Sequence, residues 1–441
     1  MFPMSNKLIL RKSPVQKTFM SVMTMVLLAG IPFGSFAGPR EQAKRIYDRL
    51  AGVPPTETVL DAMEKCFSAS PNYDVAACDA AGGDGINVAD GAMKAAYIAM
   101  EDSGFYNVTL KNFVAPWTNE EQSVFVPLND YTATVIGMIR DSDTVDFRQV
   151  LYGNILYVGQ STSPGYSVNN NQHYEAMENN NADLKTELVK HTQTQETGLP
   201  DAATAGVMTT RAAARAFFVD GTNRAMFRFT MINHLCTDLE PIKDVTRPPD
   251  RIRQDVSRSP GGDSRIFMNA CVGCHSGMDP LVQAFAYYEW SYPSGGDPDT
   301  GHLVYDSTER PVDPSDPTKG LTRAQPKYLI NSTNFPYGYV TRDDSWTNYW
   351  RSGPNALLGW NGAQSSGNGA KTMGQELANS DAFASCQVKK VFKTVCLRDP
   401  LSNVADRSQI DTMVSSFKTN GYNMKRVFAE AASYCKDGAA Y

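Results

Sequence analysis

Cys271-Val272-Gly273-Cys274-His275 is the stretch from which the rest of the chain is read. It has the form C-x-x-C-H. Two thiols separated by two residues reach one edge of a porphyrin and add across its two vinyl groups. The histidine that follows then lies beneath the iron as its proximal ligand. With 8 Cys and 5 His in 441 residues, roughly 0.002 such matches arise by chance. A thioredoxin-like redox pair would need a surrounding βαβ pattern, which is absent. A zinc site would need a second C-x-x-C or an H-x-x-x-H to complete four ligands, and neither occurs. An ordinary disulfide is the remaining alternative. The residues therefore point to one covalent haem c, tethered by Cys271 and Cys274, with its iron on His275.

The N-terminus reads as an export signal. Lys7, Arg11, Lys12 and Lys17 form a basic region, Phe19 to Ala29 an apolar core, and Ser35-Phe36-Ala37 a cleavage site after Ala37. No Cys at that junction calls for a lipid anchor, and no later stretch is apolar enough to span a membrane. The expected location is the periplasm or the extracellular space, where haem attachment and disulfides both occur. Cys66 and Cys78 close a short loop and are expected to pair. Cys236, Cys386, Cys396 and Cys435 then allow three connectivities, among which the sequence does not choose. The formal charge is −6. Removing residues 1–37 takes away four cations and no acids, which leaves about −10. That balance suits a basic redox partner protein and disfavours nucleic acid.

Apolar periodicity predicts a mainly α, loop-rich, all-helical protein with a haem domain embedded in it. The expected organisation is a signal peptide over 1–37, an N-terminal helical domain over 38–200 and a haem-binding domain over 201–441. Helices are predicted over 40–51, over 92–101, and from Pro127-Leu128-Asn129-Asp130-Tyr131 through Ile139. Asp146-Phe147-Arg148-Gln149-Val150-Leu151 alternates polar and apolar at first, then ends apolar, and is ambiguous between strand and helix. The Gly/Asp-rich run 79–91 reads as a turn, since Asp84-Gly85-Ile86 breaks the calcium-loop pattern. The Asn-rich run 169–181 reads as a surface excursion. Gly206 to Thr210 opens one helix, and Asn223 begins another that carries His234. That histidine is either a distal haem ligand or a packed side chain. Asp279-Pro280 reads as the cap and first turn of a helix with Leu281, Ala284, Phe285 and Tyr288 on one face. Ser291 to Gln325 reads as a long loop. The last helices carry the stripes Val388/Val391/Phe392/Val395, Ile410/Met413/Val414/Phe417 and Met424/Val427/Phe428/Ala431.

Five segments in order resemble a family of large exported bacterial single-haem c-type cytochromes, built from domains of unknown function and common in planctomycetes and proteobacteria. They are Arg49-Leu50-Ala51-Gly52-Val53-Pro54-Pro55; Gly206 to Thr210; Asn223-Arg224 with Leu235-Cys236; Cys271 to Tyr288, with C-x-x-C-H-x-x-[MI]-D-P; and Leu377-Ala378-Asn379-Ser380 through Phe383 and Cys386. The resemblance implies a mainly helical c-type cytochrome and supplies no substrate. The additional modules of the larger members are not recognisable here.

The distal side of the iron separates the functional alternatives. A second axial ligand makes an electron carrier, and an open position permits peroxide or small-ligand chemistry. Met373, after the run Ser366 to Thr372, is the leading candidate ligand to the metal opposite His275; His302 is a further one. The primary expectation is an exported mono-haem cytochrome exchanging electrons with a periplasmic partner. The alternatives are a peroxidase- or oxidase-like haem enzyme, and a structural or binding subunit of a redox complex.

Overall fold

The computed structural model describes residues 37–81, 88–330, 334–401 and 403–437. The export-signal reading and the centre of the 79–91 run lie outside these residues. Helix makes up 54% of the chain and strand 8%, so the protein is mainly α. It is not all-helical, because among the described residues four two-stranded antiparallel ribbons interrupt the helices.

The N-terminal helices follow the apolar pattern. Helix α1 (Pro39–Ala51) buries Ala43, Ile46, Tyr47 and Leu50 and ends at Gly52. Helix α2 (Glu57–Glu64) is capped by the Thr56 hydroxyl, which accepts the Val59 N–H. The Cys66–Cys78 disulfide ties its end to α3 (Val75–Ala81). Helix α4 (Gly91–Met100) is buried on nearly every side, against α1 on one flank. Helix α5 (Asp130–Arg140) starts at the Asn129 cap, as the sequence predicts. The ambiguous run from Asp146 to Leu151 is a 3-10 helix over Phe147–Leu151, capped by Asp146.

The Asn-rich run is not a surface excursion. It holds α6 (Gln172–Asn179), which buries His173, Tyr174 and Met177. Those three positions form one helical face inside a polar composition. Ribbon β1 (Leu156–Gly159) with β2 (Leu188–His191) lies nearby. Helix α7 (Arg211–Phe217) begins at the Thr210 cap. Just before it, Gly206 adopts φ 54°, and a Cβ there would fall 2.1 Å from the Val150 carbonyl oxygen, so only glycine fits. Helix α8 (Arg224–Leu235) follows, and α9 (Val272–Val282) carries the C-x-x-C-H stretch.

The long segment after α9 is not a bare loop. It contains β3 (Tyr288–Ser291) paired with β4 (His302–Tyr305), and β5 (Arg310–Pro311) paired with β6 (Leu321–Thr322). Ribbon β7 (Ser345–Thr347) with β8 (Ser366–Asn368) leads into α10 (Gly369–Ala378). The chain ends with α11 (Asp381–Cys396), α12 (Val404–Thr419) and α13 (Met424–Tyr434). Their stripes are buried as predicted, except that Val414 is only half-buried. Helix α13 packs on α4 and α1, so the two ends of the chain share one core. Residues Pro39–Tyr441 form one compact unit, and its core continues across residue 200.

Candidate functional site

Helix α9 positions the C-x-x-C-H side chains. A π-type turn, Phe267–Cys271, delivers the chain into it. Two glycines let other elements close on its back. The Gly273 carbonyl accepts the Asp244 N–H at 2.9 Å, which holds the 243–245 segment over the first turn. A Cβ at Gly277 would sit 2.0 Å from Trp350 Nε1, so only glycine leaves room for the fully buried indole against the helix there. Helix α9 begins seven residues before Asp279. Asp279-Pro280 is therefore inside the helix and not at its start, and the cap reading is corrected. Pro280 lacks the N–H that would bond four residues back.

Placing Asp279 inside the same helix sets it four residues after His275, on one face. His275 Nδ1 and Asp279 Oδ1 are 3.0 Å apart. A carboxylate only accepts, so Nδ1 carries a proton, and the tautomer this selects places the lone pair of an uncharged ring on Nε2. No described residue makes a hydrogen bond to Nε2. That is the atom a proximal histidine offers to iron.

Asp279 is itself fixed by a buried ion network. Arg224 donates from Nε to Asp279 Oδ1 at 2.9 Å and from Nη2 to Oδ2 at 3.0 Å. Its Nη1 and Nη2 also reach the Asp255 carboxylate at 2.9 and 2.8 Å. Arg253 donates to Asp255 at 2.7 Å and stacks its guanidinium 4.1 Å from the Tyr328 ring centroid. The Arg253 N–H reaches Asp279 Oδ2 at 3.2 Å. Both carboxylate side chains are fully buried. Burial alone would raise the Asp279 carboxyl; the Arg224 charge and the His275 N–H overcome it and hold the group well below the usual carboxylate range. Two guanidinium groups balance two carboxylates, so the network is neutral with a neutral His275.

The cysteines divide cleanly. Six form Cys66–Cys78, Cys236–Cys386 and Cys396–Cys435. The first is the pair predicted, and the other two select one of the three open connectivities. Cys271 and Cys274 are free thiols, each half-buried. Burial, then the Glu240 charge, pushes the Cys274 thiol up, so it stays protonated at neutral pH. That is unlike the thiolate of a redox-active pair.

The surroundings fit a porphyrin. Cys271 packs against a small apolar cluster of Ile252, Val256, Phe267 and Val272, separate from the main core. The Phe267 ring centroid is 6.4 Å from that of His275. Val245, Ile266 and Met268 beside the motif are exposed apolar side chains that a flat apolar group could cover. Among the described residues no three His, Cys, Asp or Glu side chains converge as a metal cage. A haem iron brings four ring nitrogens of its own and asks the protein only for axial ligands.

Of the other candidates, Met373 is completely buried on α10, which packs on Phe147–Leu151 and Gln283–Phe285. His302 is half-buried on β4, opposite Ser291. His234 is a packed side chain. It is 1% exposed, ringed by Trp117, Tyr131 and Phe383, with Nε2 2.8 Å from the Tyr131 hydroxyl. A cavity of about 790 Å³ lies elsewhere, lined by residues that include Asn119, Glu175, Arg211 and Asp299. The sequence names Arg224 only within the Asn223-Arg224 segment of the resemblance, with no role at the site, and does not single out Arg253 or Asp255. The i,i+4 spacing of His275 and Asp279 was a legible signal for that pair. No protein-family model, curated protein or solved structure matches this chain.

Proposed function

We propose that the protein is an exported mono-haem c-type cytochrome of the single-haem type it resembles, moving electrons to or from a periplasmic partner. The observation that carries this reading is the preparation of His275. Asp279 accepts a hydrogen bond from its Nδ1–H, and among the described residues Nε2 has no hydrogen-bond partner, one residue after the second of two free thiols. The six other cysteines are already paired, which leaves Cys271 and Cys274 for thioether bonds. In each such bond a thiol sulfur joins a vinyl carbon and the thiol hydrogen goes to the other carbon of that vinyl group, with no net redox change. A bound haem supplies reversible one-electron chemistry at its iron. His275 Nε2 would hold the iron, and the apolar cluster around Cys271 would keep water from the group.

The N-terminal basic-then-apolar pattern and three disulfides support export. Among the described residues no helix is long and apolar enough to cross a membrane. The formal charge of −6 favours a basic partner. The test is a haem-stained denaturing gel of protein expressed with its export signal in a host competent for cytochrome c maturation. The wild type is expected to stain and Cys271→Ala with Cys274→Ala to lose the stain. A stained band in the double variant sinks the reading.

A further inference from the structure

We infer that Asp279 is a positioning residue that makes His275 a strongly donating axial ligand, and so sets the haem potential low. The inference rests on the haem reading above and names what tunes that same site. Each Asp279 oxygen is saturated by fixed donors. Oδ1 accepts from Arg224 Nε and His275 Nδ1; Oδ2 accepts from Arg224 Nη2 and the Arg253 backbone N–H. The carboxylate cannot turn away from the ring without breaking two bonds to Arg224. It cannot trade His275 for water either, because its side chain is fully buried.

A ligand histidine that donates its second N–H to a carboxylate gains basicity at the other nitrogen. That extra electron density stabilises ferric over ferrous iron. The same hydrogen bond fixes the plane of the imidazole. Arg224 acts one step further out. By bonding Asp279 and Asp255 together it keeps the carboxylate aimed at Nδ1. The devices sit on separate parts of the chain: α8 supplies Arg224, the 253–255 segment supplies Arg253 and Asp255, and α9 supplies both Asp279 and His275. The fold thus converges on the ring nitrogen that faces away from the iron.

The test is potentiometric titration of purified haem-loaded protein. Asp279→Asn should shift the reduction equilibrium toward the ferrous form by about tenfold or more, which is about 59 mV upward for one electron. Asp279→Glu should return part of that shift. A lone Asp279→Asn leaves a buried positive charge, so Arg224→Met with Asp279→Asn serves as a charge-balanced second variant and should shift the same way. On the wild type, ¹⁵N-histidine labelling of the reduced protein should show a His275 Nδ1 proton that exchanges slowly with solvent. A potential unchanged in the variants, or a freely exchanging Nδ1 proton, overturns the inference and leaves the haem reading intact. Wild-type protein without covalent haem instead overturns the haem reading itself.

Discussion

Arg224→Met is the substitution whose cost the geometry defines most sharply. Arg224 gives four hydrogen bonds to two carboxylates with fully buried side chains, at 2.8 to 3.0 Å. Its loss leaves two carboxylates against one guanidinium. Asp255 keeps Arg253 at 2.7 Å, so the orphan is Asp279, left with a backbone N–H and His275. Breaking one buried ion pair by removing a partner costs about 3–5 kcal/mol. Asp279→Asn alone errs in the other direction and strands a positive charge at similar cost. The double variant Arg224→Met/Asp279→Asn restores the balance of one Arg to one Asp. It is expected to be less damaged than the sum of the single variants by about 2 kcal/mol or more. The assay is urea unfolding followed by tryptophan fluorescence, since Trp350 lies against α9. Single-variant losses under about 1 kcal/mol, or a double variant equal to the sum, would refute the network as the support of His275.

Three further outcomes are expected. The Cys236–Cys386 disulfide closes a loop of 150 residues, so Cys236→Ser with Cys386→Ser should cost about 5 kcal/mol on the chain-entropy estimate; an unchanged urea midpoint contradicts it. Burial, with Lys390 adding to it, holds the pKa of His234 well below its ordinary 6.5. Its neutral form is therefore built into the fold, and the stability that depends on it is complete above about pH 6.5 and is lost below that at about 1.4 kcal/mol per pH unit as the unfolded histidine takes up its proton. His234→Phe should remove that slope, and parallel pH curves for variant and wild type would show that His234 does not titrate as described. If Met373 is the distal ligand, Met373→Ala converts a low-spin optical spectrum to high-spin, whereas an unchanged spectrum removes Met373 from the iron.

What the sequence made legible is what local physics decides. The stripes of α11, α12 and α13 repeat every three to four residues and are buried accordingly. Asn129 stands at the start of α5, where its amide oxygen accepts the Thr132 N–H. The Asp279-Pro280 pair misled because Asp then Pro is a start signal by composition, while the helix had already been set up by the turn at Phe267–Cys271. In α6 three buried side chains were hidden by a run of Asn and Glu around them. The ribbons after α9 are two to four residues long, too short for alternation to register.

The candidate site divides in the same way. Cys271, Cys274 and His275 are adjacent in sequence and announce themselves. Arg224 lies 51 positions before His275 and reaches the site only through folding. The segments that carry the resemblance do meet in space. Arg224 bonds Asp279 of the Met278-Asp279-Pro280 run, and Cys236 is bonded to Cys386. Their order in the sequence was visible, but their contact was not.

The measurement that tests the central claim most directly is intact mass spectrometry of the exported wild-type protein, followed by peptide mapping of the 271–275 segment. The account predicts one added haem mass per chain, located on the peptide containing Cys271 and Cys274, and absent from the double alanine variant. A chain of unmodified mass, or one with Cys271 and Cys274 joined as a disulfide, would contradict it.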